Sequence, residues 1–291
     1  MQLFIALNKS VNYLNVWSFL TTLKFCMQIK QLNPTTPSSR HKVSICKNLL
    51  SKNNSLIKNL FKTLPRNSGR SSITGHITVR HKGAGCKKRY RWIDFQNNES
   101  HFILITICYD PYRKAFISLV FDLTKHVFKF VINVEKLYPG SLVFFGKHLS
   151  DLKLGYRTWL RKIPSGSLVN SLSPKLGSKA LYARASGGFC QLLQKNKRFL
   201  RVKLSSNKII RVSTDAVATL GVISNTVQKK ISIGKAGTRR LQGFRPSTRG
   251  IAMNPVDHPH GGRTNGGRPS VTPWALPTKG KPTVNKKKNL I

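Results

Sequence analysis

The chain has 291 residues, enough for one or two domains with cores of their own, so length excludes only a peptide that needs staples. Charge excludes more, because 51 Lys and Arg against 8 Asp and Glu leave a formal +43 at pH 7. Such a density repels itself unless a polyanion lies against it, which makes a nucleic acid the default partner.

Residues 1–65 are rich in Lys, Asn, Ser and Leu, with "NPTTPSSR" as a break, and carry no sustained apolar period. They read as an N-terminal extension of uncertain order. The stretch "VNYLNVWSFLTTLKFCMQI" is interrupted by Asn, Ser, Thr and Lys, whereas a membrane helix wants about twenty predominantly apolar residues, so no span is assigned. It is a poor secretory signal, and with no arginine before Arg40 it is a poor Arg-rich transit peptide, although the lack of acids before Asp94 fits one. A chain synthesised inside an organelle would need no import signal. The five cysteines, Cys26, Cys46, Cys86, Cys108 and Cys190, form no C-x-x-C pair and are odd in number. They read as reduced thiols rather than a disulfide framework or a zinc ribbon.

Between Arg70 and about Gly146, short apolar runs follow at close spacing: "ITGHITV", "RYRWIDF", "FILITICY", "AFISLVFD" and "VFKFVINV", separated by turn signals such as Asp110-Pro111 and "YPG". Five such strands predict a small closed barrel over residues 66–155. In the last run Phe128, Phe130, Ile132 and Val134 alternate with Val127, Lys129, Val131 and Asn133, the period of a half-buried strand.

After "LGYRTWLRKIPSGS" a second β block spans residues 156–233, with strands at "FCQLLQ", "RFLRVKL" and "KIIRVS". "SSNK" turns a hairpin between the last two. "KALYARA" predicts one short helical turn, and the block reads as a second small barrel.

From Gly234 to the end, 16 of 58 residues are Gly or Pro and 12 are Lys or Arg, with Asp257 the only acid. Such a segment buries too little apolar surface to offset about 1–2 kcal/mol of backbone entropy per residue, so a tail that orders against a partner is expected.

Within that tail lies "MNPVDHPHGG", residues 253–262. Pro255 and Pro259 hold Asn254 and His258 out of the α region, so the histidines sit on an extended loop rather than a helix face. A metal site there lacks a third and fourth ligand nearby, and none of the eight acids is paired at nuclease spacing, so neither a metal nor catalysis is assigned. Phosphate recognition needs fewer assumptions. Gly261-Gly262 and Gly266-Gly267 allow close backbone approach, while Arg249, Arg263 and Arg268 offer planar donor forks. For His258 and His260, local packing and specific RNA contact stay equally open. A second basic concentration is "RHKGAGCKKRYRW", where Arg80, Lys82, Lys87, Lys88, Arg89 and Arg91 flank Gly83 and Gly85. At this net charge it reads as a loaded hairpin or loop crest that contacts phosphate. Tyr90 and Trp92 could stack on bases, but alternation can equally turn them inward, and Trp92 is read as core.

Three runs, "GRSSITGHITVRHKGAGCKKRYRWIDF", "GKAGTRRLQGFRPSTRGIAMNPVDHPHGG" and "TPWALPTKGK", together resemble the L-two family of large-ribosomal-subunit proteins in its bacterial or organellar form. The resemblance covers about residues 66–282, while residues 1–65 resemble no segment of it. It implies a mainly β fold, with an OB-fold barrel, then an SH3-like barrel, then an extended irregular basic tail (residues 234–291) that threads through ribosomal RNA toward the peptidyl transferase centre. It implies large-subunit rRNA and neighbouring large-subunit proteins as partners, a contact with the small subunit that supports association, and no enzyme activity or cofactor. By motif position His258 falls nearest that centre, beside Asn254, Asp257 and His260. Surrounding phosphates would favour its imidazolium, which suits an electrostatic contact better than a general base. The expected RNA contacts are completed by Arg70, His81, Arg184, Lys235, Arg239, Arg240, Arg245, Lys279 and Lys281. Cys86, Leu241 and "RTNGGRPSV" depart from the family's usual residues. The unfamiliar extension and the Phe, Ile, Asn and Lys richness point to a mitochondrial form on the matrix ribosome, with plastid and bacterial cytoplasm as alternatives. The rival functions are a non-ribosomal protein that compacts nucleic acid and a metal-dependent nuclease built on His258, Asp257 and His260.

Overall fold

The computed structural model describes residues 29–47, 50–51, 59–65, 68–95, 99–146, 151–175, 177–196, 198–262 and 268–280. The fold is mainly β. A short hairpin pairs β1 (Ile29–Gln31) with β2 (Val43–Ile45), and its turn is the "NPTTPSSR" break. β3 (Phe61–Thr63) pairs with β4 (Arg89–Arg91). The remaining strands are β5 (Ser100–Cys108), β6 (Ile117–Asp122), β7 (Val127–Ile132), β8 (Leu142–Phe145), β9 (Arg157–Trp159), β10 (Leu168–Asn170), β11 (Cys190–Lys195), β12 (Phe199–Lys203), β13 (Ile209–Ser213) and β14 (Val217–Leu220). They join in the order β13-β12-β11-β10-β14-β9-β8-β5-β6-β7.

That sheet wraps two cores, in keeping with an OB-fold-like barrel followed by an SH3-like one. In the first, β6 is covered on both faces: Ile117 and Leu119 pack with Ile93, Phe130 and Ile132, while Val120 packs with Phe102, Val143 and Phe145. Alternation along β7 is as expected, with Phe130 and Ile132 buried. Asn133 on its other face is also buried, and is matched by a hydrogen bond from Ser118 Oγ at 2.8 Å. The second core gathers Leu160, Val169, Leu172, Leu192, Leu200, Val202 and Val212. The predicted hairpin at "SSNK" is present, closed by Leu204 N–H donating to Lys208 O at 2.9 Å, with Asn207 at φ +64°.

The two halves are stitched rather than merely linked. β8 runs parallel to β9 through Phe145 and Arg157. Val134 bridges Ile223, whose side chain is wholly buried in the first core although it lies beyond β14. Cys108 and Cys190 are free and buried, and burial pushes the Cys190 thiol up to about 11, so both serve as core. Cys46 and Cys86 are also free, and Cys26 lies outside the described residues.

Three local expectations are corrected. "ITGHITV" is not a strand: Ser71 Oγ accepts from the amides of Ile73 and Thr74, Gly75 turns at φ +69°, and Ile73 is 93% exposed. The turn intercepts the alternation, leaving a single bridge between Arg70 and Ile77. "KALYARA" forms no helical turn, because Tyr182 bridges Leu172 and Ala183 sits at φ +50°. Trp92 is not core: Ile93 takes the buried position and leaves Trp92 62% exposed.

Candidate nucleic-acid interface

The two basic concentrations meet. The described residues of 234–280 contribute no hydrophobic side chain to a core, yet the root of this tail lies along the loop 81–88. Gly83 N–H donates to Gly243 O and Cys86 N–H to Leu241 O, each at 2.9 Å, and Arg245 N–H returns to His81 O at 3.0 Å. Lys82 bridges Phe244 and sets its ammonium 4.5 Å from that ring, while Lys88 Nζ donates to Gln242 O at 3.2 Å. Glycine is needed at the closest approach: Gly85 has φ +65°, and a Cβ there would lie 2.7 Å from Leu241 O. Of the two expected forms, hairpin or loop crest, the segment is a loop, and it packs against the tail.

A six-residue helix, α1 (Ala236–Leu241), follows Lys235 and carries Arg239 and Arg240 in its last turn, where its carbonyl end favours cations. Together with Arg80, Lys87, Arg89, Arg245 and Arg249 these side chains lie exposed on one joined surface. The sequence has no acid before Asp94 and only Asp257 after residue 234, so this surface has no carboxylate of its own loop or helix to neutralise it. The ion pairs Arg113–Asp110, Lys129–Asp94 and Lys129–Asp122 all lie in the first barrel.

Some expected contacts have other work. Arg91 is half-buried over the Phe61 ring at 5.0 Å, and Arg70 Nη1 donates to Gly75 O at 3.0 Å. Arg184 lies exposed beside Phe95, 5.5 Å from its ring. Lys279 is exposed near the end of the tail, whereas Arg263, Lys281 and Gly266-Gly267 lie outside the described residues.

The histidine loop is a compact turn. His258 is 7% exposed, and its Nδ1 accepts the His260 backbone N–H at 3.0 Å. Gly250 lies against the ring, where a Cβ would come within 2.7 Å of it. Burial, then the neighbouring His260 and Arg80 charges, pushes the His258 imidazole below its ordinary value. His260 Nε2 lies 2.6 Å from Pro269 O and 3.4 Å from the Val271 backbone nitrogen, which pins the ring to the far side of the loop. Arg268 Nη1 donates to Pro259 O at 2.6 Å and to Gly261 O, clasping the loop from inside the tail. The amides of Gly261 and Gly262 are likewise spent, on His258 O and Met253 O. Loop closure thus engages that glycine pair and Nη1 of Arg268, while Asn254 remains exposed.

Asp257 makes no hydrogen bond to either imidazole ring, and His258 Nδ1 is already occupied, so no acid–base pair is assembled here. Among the described residues no three His, Cys, Asp or Glu side chains cluster to hold a metal, and no helix is long and apolar enough to cross a membrane.

Two family domains match in tandem: the RNA-binding N-terminal domain of ribosomal proteins L2 over residues 57–145, and their C-terminal domain over residues 153–275. The chain is 41% identical to the large ribosomal subunit protein uL2m of Reclinomonas americana over 268 residues, covering 90% of this chain and 95% of that protein. It is equally identical to uL2 of Rickettsia felis, over 90% of this chain and 96% of the other. Alignments of this length reach into the first 65 residues, where the motifs alone gave no resemblance. On the tandem domains and this near-full-length identity, the chain belongs to the ribosomal protein L2 family.

Proposed function

We propose that this chain is a structural, non-enzymatic constituent of the large ribosomal subunit that binds large-subunit rRNA and neighbouring ribosomal proteins. The observation that carries the reading is the joined surface of loop 80–91 and tail 235–249, which concentrates cations from two distant segments with no acid among them. Phosphate contacts dominate affinity on such a surface, and the shape of the folded RNA selects the partner.

The finer reading follows the family resemblance. Residues 66–155 and 156–233 dock on folded rRNA, and residues 234–291 extend toward the peptidyl transferase centre, with His258 and Asn254 nearest to it. A further face meets the small subunit and supports association. The location is the mitochondrial matrix ribosome, supported by the likeness to uL2m, with plastid and bacterial ribosomes as alternatives. Co-sedimentation of the tagged chain with large subunits, lost on ribonuclease treatment, is the expected result. Persistence after ribonuclease, or binding of duplex DNA as tight as that of folded rRNA at equal salt, would contradict the reading.

A further inference from the structure

Where the loop surface turns onto the barrel, three aromatic rings come together outside any core. Tyr90 stands edge-on to Trp92 at 6.4 Å and 81°, and edge-on to Tyr112 at 5.4 Å and 80°. Trp92 is 62% exposed and Tyr112 43% exposed. Each ring has a cation over one face, leaving the other for a base: Lys62 at 5.6 Å from the Trp92 centroid, Lys88 at 5.9 Å from Tyr112, and Arg113 at 5.8 Å from Tyr90.

We propose that Tyr90, Trp92 and Tyr112 form a stacking platform for an unpaired nucleobase of RNA. The proposal rests on the rRNA-binding reading and names what this part of the surface recognises. An unpaired nucleotide offers both things the patch is built for: a π-face to lie on an exposed ring, and a phosphate to meet the adjacent ammonium. A base inside a duplex cannot reach the rings, because its faces are covered by its neighbours.

The platform is held in place rather than loosely displayed. Tyr90 and Trp92 stand two residues apart at the end of β4, so extended backbone sends both to one face. Tyr112 is set by the buried Asp110, whose Oδ1 accepts the Tyr112 N–H at 2.9 Å while its other oxygen pairs with Arg113 at 3.2 Å. That pairing orients Arg113, and Lys62 and Lys88 keep the local field positive. Lys88 is tied to the tail through Gln242 O at 3.2 Å, which makes the platform continuous with the joined cationic surface. An apolar protein segment would leave the Lys62 and Lys88 ammonium groups without an anion.

The test uses the full chain and its Trp92→Ala, Trp92→Phe and Tyr112→Ala variants. Affinity is measured at fixed salt for a short single-stranded RNA, the same backbone with abasic residues, and a duplex RNA of equal length. Trp92→Ala is expected to weaken binding of the base-bearing strand by about tenfold and Tyr112→Ala by a smaller factor, with Trp92→Phe keeping most of the affinity. Binding of the abasic strand and the duplex stays within about twofold, and the salt slope is unchanged because no phosphate contact is lost. The unfolding temperature also stays the same, since the replaced ring is exposed. Equal weakening on base-bearing and abasic strands, or no weakening on either, overturns the platform alone. A wild-type chain that binds none of the three RNAs overturns the rRNA-binding reading with it.

Discussion

The backbone N–H of Gly83 donates to the carbonyl oxygen of Gly243 at 2.9 Å, fastening a loop of the first barrel to the root of the tail. Two segments far apart in sequence thereby present their cations together. Closing that long loop costs entropy, which backbone pairing along 81–88 offsets more readily than repulsive side chains could.

Gly85→Val should break this seam. The position has φ +65° and its Cβ would press on Leu241 O, so the variant strains the backbone by about 1–3 kcal/mol and lifts the tail root. Hydrogen exchange at the Cys86 and Arg245 amides should accelerate while the barrel amides keep their protection. Gly75→Val is the control, with φ +69° but nothing within 4 Å of the added carbon. Unchanged exchange at Arg245 in Gly85→Val would contradict the seam.

His258 should titrate below the ordinary 6.5 in the RNA-free chain, because burial and the His260 and Arg80 charges disfavour its cation. For a base with a lowered folded pKa, the unfolded chain binds more protons between the two values. The turn is therefore fully stable above pH 6.5 and loosens as pH falls below it. Proton NMR of the imidazole against pH reads this directly. A midpoint at or above 6.5 in the free chain would show that the ring is not buried beside those charges as the turn requires. Bound phosphates should move the midpoint upward.

Asp122 anchors the turn after β6. Burial alone would raise its pKa, but Thr124 Oγ1, the Lys125 and Thr124 amides, and Lys129 Nζ outweigh burial and hold it at about 2. Since the carboxylate form is the one bound, its contribution is complete above 3.8 and is lost as pH falls toward 2. Asp122→Ala should destabilise the first barrel by about 1–3 kcal/mol and flatten stability against pH in that window, measured by urea unfolding. An unchanged acid limb would contradict the assigned contacts.

Where local chemistry decides the structure, the sequence was readable. Alternation along 127–134 placed Phe130 and Ile132 in the core, and the "SSNK" hairpin closes around Asn207 at φ +64°. β14 was not readable, because Val217, Ala218 and Thr219 are buried on both faces and show no alternation. "ITGHITV" has the period of a strand, yet the Ser71 hydroxyl and Gly75 commit it to a turn. At the interface the residue types were legible in both basic segments, but their union was not. No local pattern links Gly83 to Gly243, and Tyr112 signalled itself only through the Asp110-Pro111 turn beside it. The carbonyl partners of Arg268 at Pro259 and Gly261 were not legible for the same reason, since they come within reach only once the loop closes.

The salt dependence of binding to folded large-subunit rRNA tests the central claim most directly. With about ten phosphates contacted, the logarithm of affinity should fall against the logarithm of salt with a slope of several units. Replacing Lys87 and Arg89 in the loop, or Arg239 and Arg240 in the tail, should each lower that slope by about one to two units. A flat salt dependence in the wild-type chain, or slopes unmoved by either replacement, would mean that the joined cationic surface is not where the RNA lies.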